Sequence, residues 1–317
     1  MSFGAGRGPA ALRSERKGSL SARLRSPLPA FKAGTALACR LPVPVADEVA
    51  RAAGLVAGRV RPSSRAMVAR HLRRAMGPDL NGRDLDRTID RVFQSYARYW
   101  LDSFRLPGLS VDRVAAGFRA DGYDPHITAA LAAGTGVILA LPHLGGWEWA
   151  GRWIADQGHR ITVVVEPLES PETFEWFRAL RSSLGMTVVP LGPGAAGALL
   201  RALRDNHVVC LLSDRDITGG GVPVEFFGET TTLPGGPATL SLRTGAPILA
   251  TAVYFTDARD GHLAIVRPPL AAPRTGRLRD DVAALTQALA VELEGLIRRA
   301  PEQWHMLQPN WPSDRPA

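Results

Sequence analysis

The chain has 317 residues, enough for one large domain or two small ones. Its 45% hydrophobic and 21% charged residues suit a packed core and exclude a wholly disordered or fibrous chain. Two cysteines exclude a disulfide framework, and a formal net charge of +8 leaves anionic lipid and nucleic acid both open as partners.

The charge is uneven. Residues 1–40 hold eight Arg or Lys against the single acid Glu15, and 1–35 read as a disordered basic tail rich in Gly, Ser and Pro. Residues 36–110 read as helical: "ADEVARAAGLVAGRV", "SSRAMVARHLRRAMG" and "DLDRTIDRVFQSYARYWLDSFRL" place apolar residues three or four apart, and Gly77-Pro78 ends the second. Seven arginines and no acid lie between Arg51 and Pro78.

After Leu109 helices alternate with apolar strands. Helix "PHITAALAAG" leads to strand "GVILALP", "WEWAGRWIADQG" to "ITVVVE", "PETFEWFRALRSSLG" to "MTVVPL", and "AGALLRALRDN" to "HVVCLLSD". A hairpin-like "GVPVEFFGE", a short helix near Thr239–Arg243 and strand "PILATAVYF" follow. This grammar predicts an α/β fold with a mostly parallel central sheet flanked by helices. The expected organisation is one domain over 36–312, with a helical part (36–110), an α/β core (111–312) and a short tail (313–317). Pro125 to Trp147 carries no fixed charge, but "AAGTG" and Pro142 break it, so no membrane-spanning helix is expected.

Ligands in such folds gather at the carboxyl ends of strands. There lies "LPHLGGWEWAG", with His143 and, five residues on, Glu148. A neutral imidazole can take a hydroxyl proton, and a nearby carboxylate fixes its tautomer. Gly145 and Gly146 would let a substrate approach the backbone, and N–H groups there are candidate oxyanion donors. The structural alternative is a turn histidine beside an i,i+4 pair of Glu148 with Arg152. Arg181 suits an oxyanion through its guanidinium fork, or merely the end of its helix. In "SDRD", Asp214 or Asp216 could orient His143 or an acceptor hydroxyl. Arg181, Asp214, Arg215, Asp216 and Glu225 are the candidate substrate-binding residues, although Glu225 also fits the polar face of a strand. Trp147 and Trp149 are either core or the lining of an acyl groove. A rival signal is Gly192-x-Gly194-x-x-Gly197 with Asp214 22 residues after Gly192, the spacing of a dinucleotide fingerprint and hence of an oxidoreductase. GxSxG, GxxxxGK[ST] and HExxH are absent from the sequence, which weighs against serine-hydrolase, P-loop and zincin chemistry.

"LPHLGGWEWAG" resembles the H-x4-D/E block of the lysophospholipid and lipid A biosynthesis acyltransferases, and "RALRSSLG" their arginine-bearing block. "SYARYWLDSFRLP", "VVCLLSDRDITGGGVPVEFFGE", "LPGGPATLSLRTGAP" and "PEQWHMLQPNW" are similar to the phosphatidylinositol mannoside branch. The likeness covers residues 40–311. It departs at Glu148, where that branch usually has Asp, and at Gly146, in a Gly-Gly-Trp where it has Gly-Asn-Trp. The resemblance implies acyl transfer from acyl-CoA to a mannose hydroxyl of a glycolipid by direct attack, at the cytoplasmic face of the membrane. His143 would be the base and Glu148 its partner, with Arg181 anchoring the acceptor's head group. Another glycolipid or a lysophospholipid is the alternative acceptor. Apart from acyl-CoA as co-substrate, no cofactor, metal or nucleic acid is expected, and the basic helices would meet an anionic membrane surface.

Overall fold

The computed structural model describes residues 28–166, 170–272 and 274–315. Residues 1–27, most of the expected tail, lie outside the described residues. The described residues begin with four helices, α1 (Leu28–Arg40), α2 (Val43–Val60), α3 (Pro62–Met76) and α4 (Gly82–Arg105). Pro62 opens α3, where its fixed φ suits the first helical turn and its missing N–H is not needed. Helix α1 corrects the expected tail boundary, since residues 28–35 are helical. The cause is Phe31, which lies within 5.0–6.2 Å, centroid to centroid, of Trp100, Phe104, Trp176 and Phe177. Four aromatic neighbours outweigh the Gly- and Pro-rich composition of the flanking sequence.

The core follows in the order α5 (Val111–Ala116), β1 (Phe118–Asp121), α6 (Ala129–Ala132), β2 (Val137–Leu141), α7 (Trp147–Asp156), β3 (Ile161–Val165), α8 (Pro171–Ser183), β4 (Met186–Pro190), α9 (Ala195–Arg204) and β5 (Val208–Leu212). Then come β6 (Val222–Phe226), β7 (Glu229–Leu233), α10 (Gly236–Thr244), β8 (Ile248–Phe255), β9 (His262–Pro269) and α11 (Leu278–Arg299). Seven strands form one sheet in the order β1-β9-β8-β2-β5-β3-β4. The five from β8 to β4 are mutually parallel, β9 runs antiparallel to β8, and β1 follows β9. The mostly parallel, helix-flanked sheet expected from the sequence is therefore present. Strands β6 and β7 form a separate hairpin, closed by Phe227 and Gly228, both at positive φ, the conformation a two-residue hairpin turn needs.

Every residue of β2 is buried, because both faces of the sheet are covered. Ile138 and Ala140 face a core with Leu199 and Leu203 of α9 and Leu289 and Leu293 of α11. Val137, Leu139 and Leu141 face the other core, with Trp149 and Ile154 of α7. Burying each large apolar side chain contributes about 1.5–3 kcal/mol, so β2 is a firmly placed strand from which a site could project.

The expected tail at 313–317 is also corrected. Asp314 is buried and accepts from His71 Nε2 (3.1 Å), Arg74 Nη1 (2.8 Å) and the N–H groups of Asn310 (2.9 Å) and Trp311 (3.1 Å). Burial alone would raise its pKa, but these donors outweigh it and hold the carboxyl well below the usual range. Helix α3 thus fastens the end of the chain onto the core. No helix among the described residues is long and apolar enough to cross a membrane.

Candidate active site

The site is built from strand register. Leu141 of β2 pairs with Leu212 of β5, and the Ser213 N–H donates to the Leu141 carbonyl at 2.8 Å. His143 and Asp214 each lie two residues past these paired ends, so in-register parallel strands bring them side by side. His143 Nδ1 is 2.6 Å from Asp214 Oδ1, and the His143 N–H donates to Oδ2 at 2.9 Å. Asp214 is wholly buried, whereas the His143 side chain keeps 24% exposure. Burial favours a protonated Asp214, but its contacts with His143 and the Trp304 indole N–H (2.8 Å) overcome this and lower its pKa. An ionised Asp214 holds the proton on Nδ1 and leaves Nε2 as the acceptor that faces outward.

Glu148 is elsewhere, which revises its expected role as the partner of His143. It opens α7 with its side chain 8% exposed. Its Oε1 accepts from Arg181 Nη2 (2.5 Å), Arg181 Nε (3.0 Å) and the Tyr99 hydroxyl (3.1 Å). Burial disfavours the Arg181 charge, but Glu148 more than compensates and raises its pKa; burial and the Glu148 charge together keep Tyr99 protonated far above its usual range. Nε and Nη2 of Arg181 are thus engaged by Glu148. This pair ties α7 to α8 beside the site, and Tyr99 adds α4. The alternative partner, Arg152, binds Asp156 at 2.7 Å instead.

The glycines also depart from expectation. The N–H of Gly145 donates to Gln303 O (3.0 Å) and that of Gly146 to Val253 O (3.0 Å), so neither is free as an oxyanion donor. Their role is steric. Gly145 has φ +61°, and a Cβ there would overlap the Val253 carbonyl; at Gly146 a Cβ would come within 2.5 Å of the His262 ring. Gly146 thus complements the His262 ring stacked 4.3 Å from Trp149. Trp149 is buried, donates to Val114 O (3.1 Å), and belongs to the core rather than a groove. Trp147 stacks on Tyr99 at 4.2 Å, meets His143 edge-on at 6.0 Å, and lines an apolar cavity between α7 and the sheet. Leu139, Leu141, Trp153, Ile154 and Val266 share its wall, and Glu148 and Arg181 are its charged lining. Cys210 also lines this cavity, its thiol pushed up to about 12 by burial and the Glu148 charge.

Asp216 secures its own loop. It accepts from the N–H groups of Thr218, Gly219 and Gly221 (2.8–3.0 Å) and from the hydroxyls of Thr218 and Thr232 (3.0–3.1 Å). Burial opposes its charge, but these donors prevail and lower its pKa. Arg215 lies 3.4 Å from the half-exposed Glu166 at the end of β3, also on the carboxyl edge of the sheet. Glu225 lies exposed on β6, with its backbone N–H on Gln287 Oε1. Gly192 and Gly194 form the turn before α9, at edge strand β4. The fingerprint's acidic member, Asp214, is buried on His143, so it cannot bind a ribose.

Sequence reasoning missed four contributors to the site: Tyr99 of α4, and Gln303, Trp304 and Asn310 from the chain after α11. Asn310 Nδ2 donates to Asp214 O at 2.9 Å. The blocks "SYARYW" and "PEQWHMLQPNW", both quoted above, contain all four.

An α/β sheet with a histidine–carboxylate pair at its carboxyl edge and an H-x4-E segment defines an acyltransferase. The chain belongs to the bacterial lipid A biosynthesis acyltransferase family, which it matches over residues 30–313. It is 42% identical over 225 residues to a phosphatidylinositol mannoside acyltransferase of Mycobacterium tuberculosis, covering 70% of this chain and 69% of that one. It is 38% identical over 262 residues to a phosphatidylinositol mannoside acyltransferase of Mycolicibacterium smegmatis, covering 78% and 83%.

Proposed function

We propose that this acyltransferase moves a fatty acyl group from acyl-CoA to a mannose hydroxyl of a phosphatidylinositol mannoside, at the cytoplasmic face of the membrane. The observation that carries the chemistry is the His143–Asp214 pair, with its Nε2 left for an acceptor. The names of the relatives support the acceptor. In the reaction, Nε2 takes the hydroxyl proton as the sugar oxygen attacks the thioester carbonyl. The ionised Asp214 stabilises the imidazolium. Collapse breaks the carbon–sulfur bond, and the imidazolium returns its proton to the departing CoA sulfur. With the N–H groups of Gly145 and Gly146 engaged, those of Trp147 and Glu148 at the start of α7 are the donors proposed for the oxyanion. The raised pKa of the Cys210 thiol supports direct transfer over an acyl-cysteine.

The apolar cavity beside Trp147, about 70 Å³ in volume, is proposed for a short part of the acyl chain. Because Arg181 is held by Glu148 at 2.5 Å whereas Arg215 meets the half-exposed Glu166 only at 3.4 Å, Arg215 is the guanidinium proposed for an anionic group of a substrate. Membrane contact is proposed for α2, where Val45, Val49, Val56 and Val60 are exposed beside Arg59 and Arg61. The basic helix α3 contributes less, since Val68 is buried against α4 and Arg65 binds Asp86 and Asp90. The test supplies purified enzyme with palmitoyl-CoA and either a phosphatidylinositol mannoside or a lysophospholipid, and follows free CoA and lipid mass. Acylation of the mannoside, lost in His143→Ala, is expected. Acylation of the lysophospholipid alone would refute the acceptor assignment.

A further inference from the structure

The chain after α11 packs against both the His143 loop and Asp214. The Gly145 N–H donates to Gln303 O (3.0 Å), Leu144 bridges to Trp304, and the His305 N–H donates to His143 O (2.7 Å). His71 Nδ1 lies 3.0 Å from Met306 O, and Asp314 fixes the far end. Trp304 reaches the Asp214 carboxylate itself through its side chain. It is 2% exposed and packs among His71, Phe226, Phe227 and Trp311, with ring centroids 5.5–6.5 Å away. An indole N–H donates and never accepts, so it cannot exchange roles with Asp214.

We infer that Trp304 is a positioning residue for acyl transfer: its indole N–H, on Asp214 Oδ2, turns Oδ1 onto the Nδ1 of His143. This rests on the proposed role of His143 as base. Oδ2 is held by the His143 N–H and the indole together, and the Asn310 amide holds the Asp214 carbonyl. Without the indole donor, a buried carboxylate with one remaining contact on Oδ2 can rotate, and the imidazole loses its fixed tautomer. Trp304 acts through Asp214 and touches no substrate.

The test is a double-mutant cycle on the full chain, with kcat and the KM for palmitoyl-CoA measured for Trp304→Phe, Asp214→Asn and the pair. Trp304→Phe should lower kcat about tenfold, equivalent to about 1.4 kcal/mol, with KM unchanged. In the Asp214→Asn background the same change should add nothing, because the group it acts through is gone. Where Trp304→Phe lowers the melting temperature, site-specific 3-benzothienylalanine at 304, which replaces N–H by sulfur in the same bicycle, repeats the cycle. Equal multiplicative losses in both backgrounds, or parental kcat for either 304 variant, would overturn the inference. Parental kcat in His143→Ala or Asp214→Asn would instead overturn the base assignment on which it rests.

Discussion

The Glu148–Arg181 pair distinguishes a carboxylate held in a buried ion pair from Asp214, the carboxylate proposed to act with His143. Glu148 and Arg181 are only 8% and 17% exposed in their side chains. Glu148→Gln keeps the shape and one acceptor for Tyr99 but leaves the Arg181 charge buried without its counterion. Removing one partner of such a pair costs about 3–5 kcal/mol, and the lower figure applies because the amide oxygen still accepts. At about 2–4 °C per kcal/mol for a domain approaching this size, the melting temperature should fall by roughly 6–12 °C. Arg181→Met should cost a similar amount, and the double variant Glu148→Gln/Arg181→Met should regain most of it, since replacing both charges removes the desolvation problem. Calorimetry on substrate-free protein reads this directly. A Glu148→Gln protein with the parental melting temperature, but turnover reduced as far as in His143→Ala, would refute the argument and return Glu148 to the chemistry.

Asp214→Asn should lower kcat by about 10³–10⁴, as expected when an amide replaces the carboxylate that fixes a histidine tautomer; a loss under tenfold in steady-state assays would remove Asp214 from the dyad. Gly145→Ala should cost turnover and soluble yield together, because φ +61° and the Val253 carbonyl both exclude a Cβ, and retention of both would show that the loop can move aside. His305 is held neutral by burial and by nearby His143, its pKa lowered to about 3 from 6.5. Its contribution to stability is complete above pH 6.5 and is lost as pH falls toward 3, because the unfolded chain binds the proton first. Urea titrations at pH 7, 6 and 5 should therefore show a fall of up to about 1.4 kcal/mol per pH unit below 6.5, absent in His305→Gln; identical slopes would contradict it. Changing Val56 and Val60 to Ser and Arg59 and Arg61 to Gln should reduce sedimentation with anionic liposomes and leave the melting temperature unchanged, whereas undiminished binding would place the lipid contact elsewhere.

Much of the sheet was legible because buried parallel strands are written as uninterrupted apolar runs. "VILAL", "ITVVV" and "VVCLL" carry no charge, and the first two are each followed by a turn and a helix with its own period. Strands β1 and β9 escaped because neither reads as an apolar run: β1 is an edge strand with alternate residues exposed, and β9, paired on both sides, ends in exposed residues. "FRAD" and "HLAIVRPP" mix charge and proline into that pattern. Helix α11 was readable in principle, since Leu285, Leu289, Leu293, Leu296 and Ile297 mark a buried stripe at helical spacing. Helix α1 was not, because the aromatic partners of Phe31 lie on α4 and α8, and no local composition reports them.

The site divides along the same line. His143 could be found from its place at a strand end, but its partner could not be found by counting along the segment. A spacing of five suggests Glu148, yet once the Gly146 N–H bonds to the Val253 carbonyl, the first turn of α7 points its carboxylate at Tyr99 and Arg181. Asp214, 71 residues away in sequence, becomes the neighbour because β2 and β5 are adjacent and in register. The two facts needed were both in the sequence: "LPH" and "LSD" each set a functional group two residues beyond the last strand leucine. What the sequence withheld was strand order, which is fixed by how the crossover helices pack on the two faces. An Asp or a Glu at position 148 then meets the same requirement, a buried anion for Arg181. Exchange between those two acids is accordingly a question of reach to α8 rather than of proton transfer at His143.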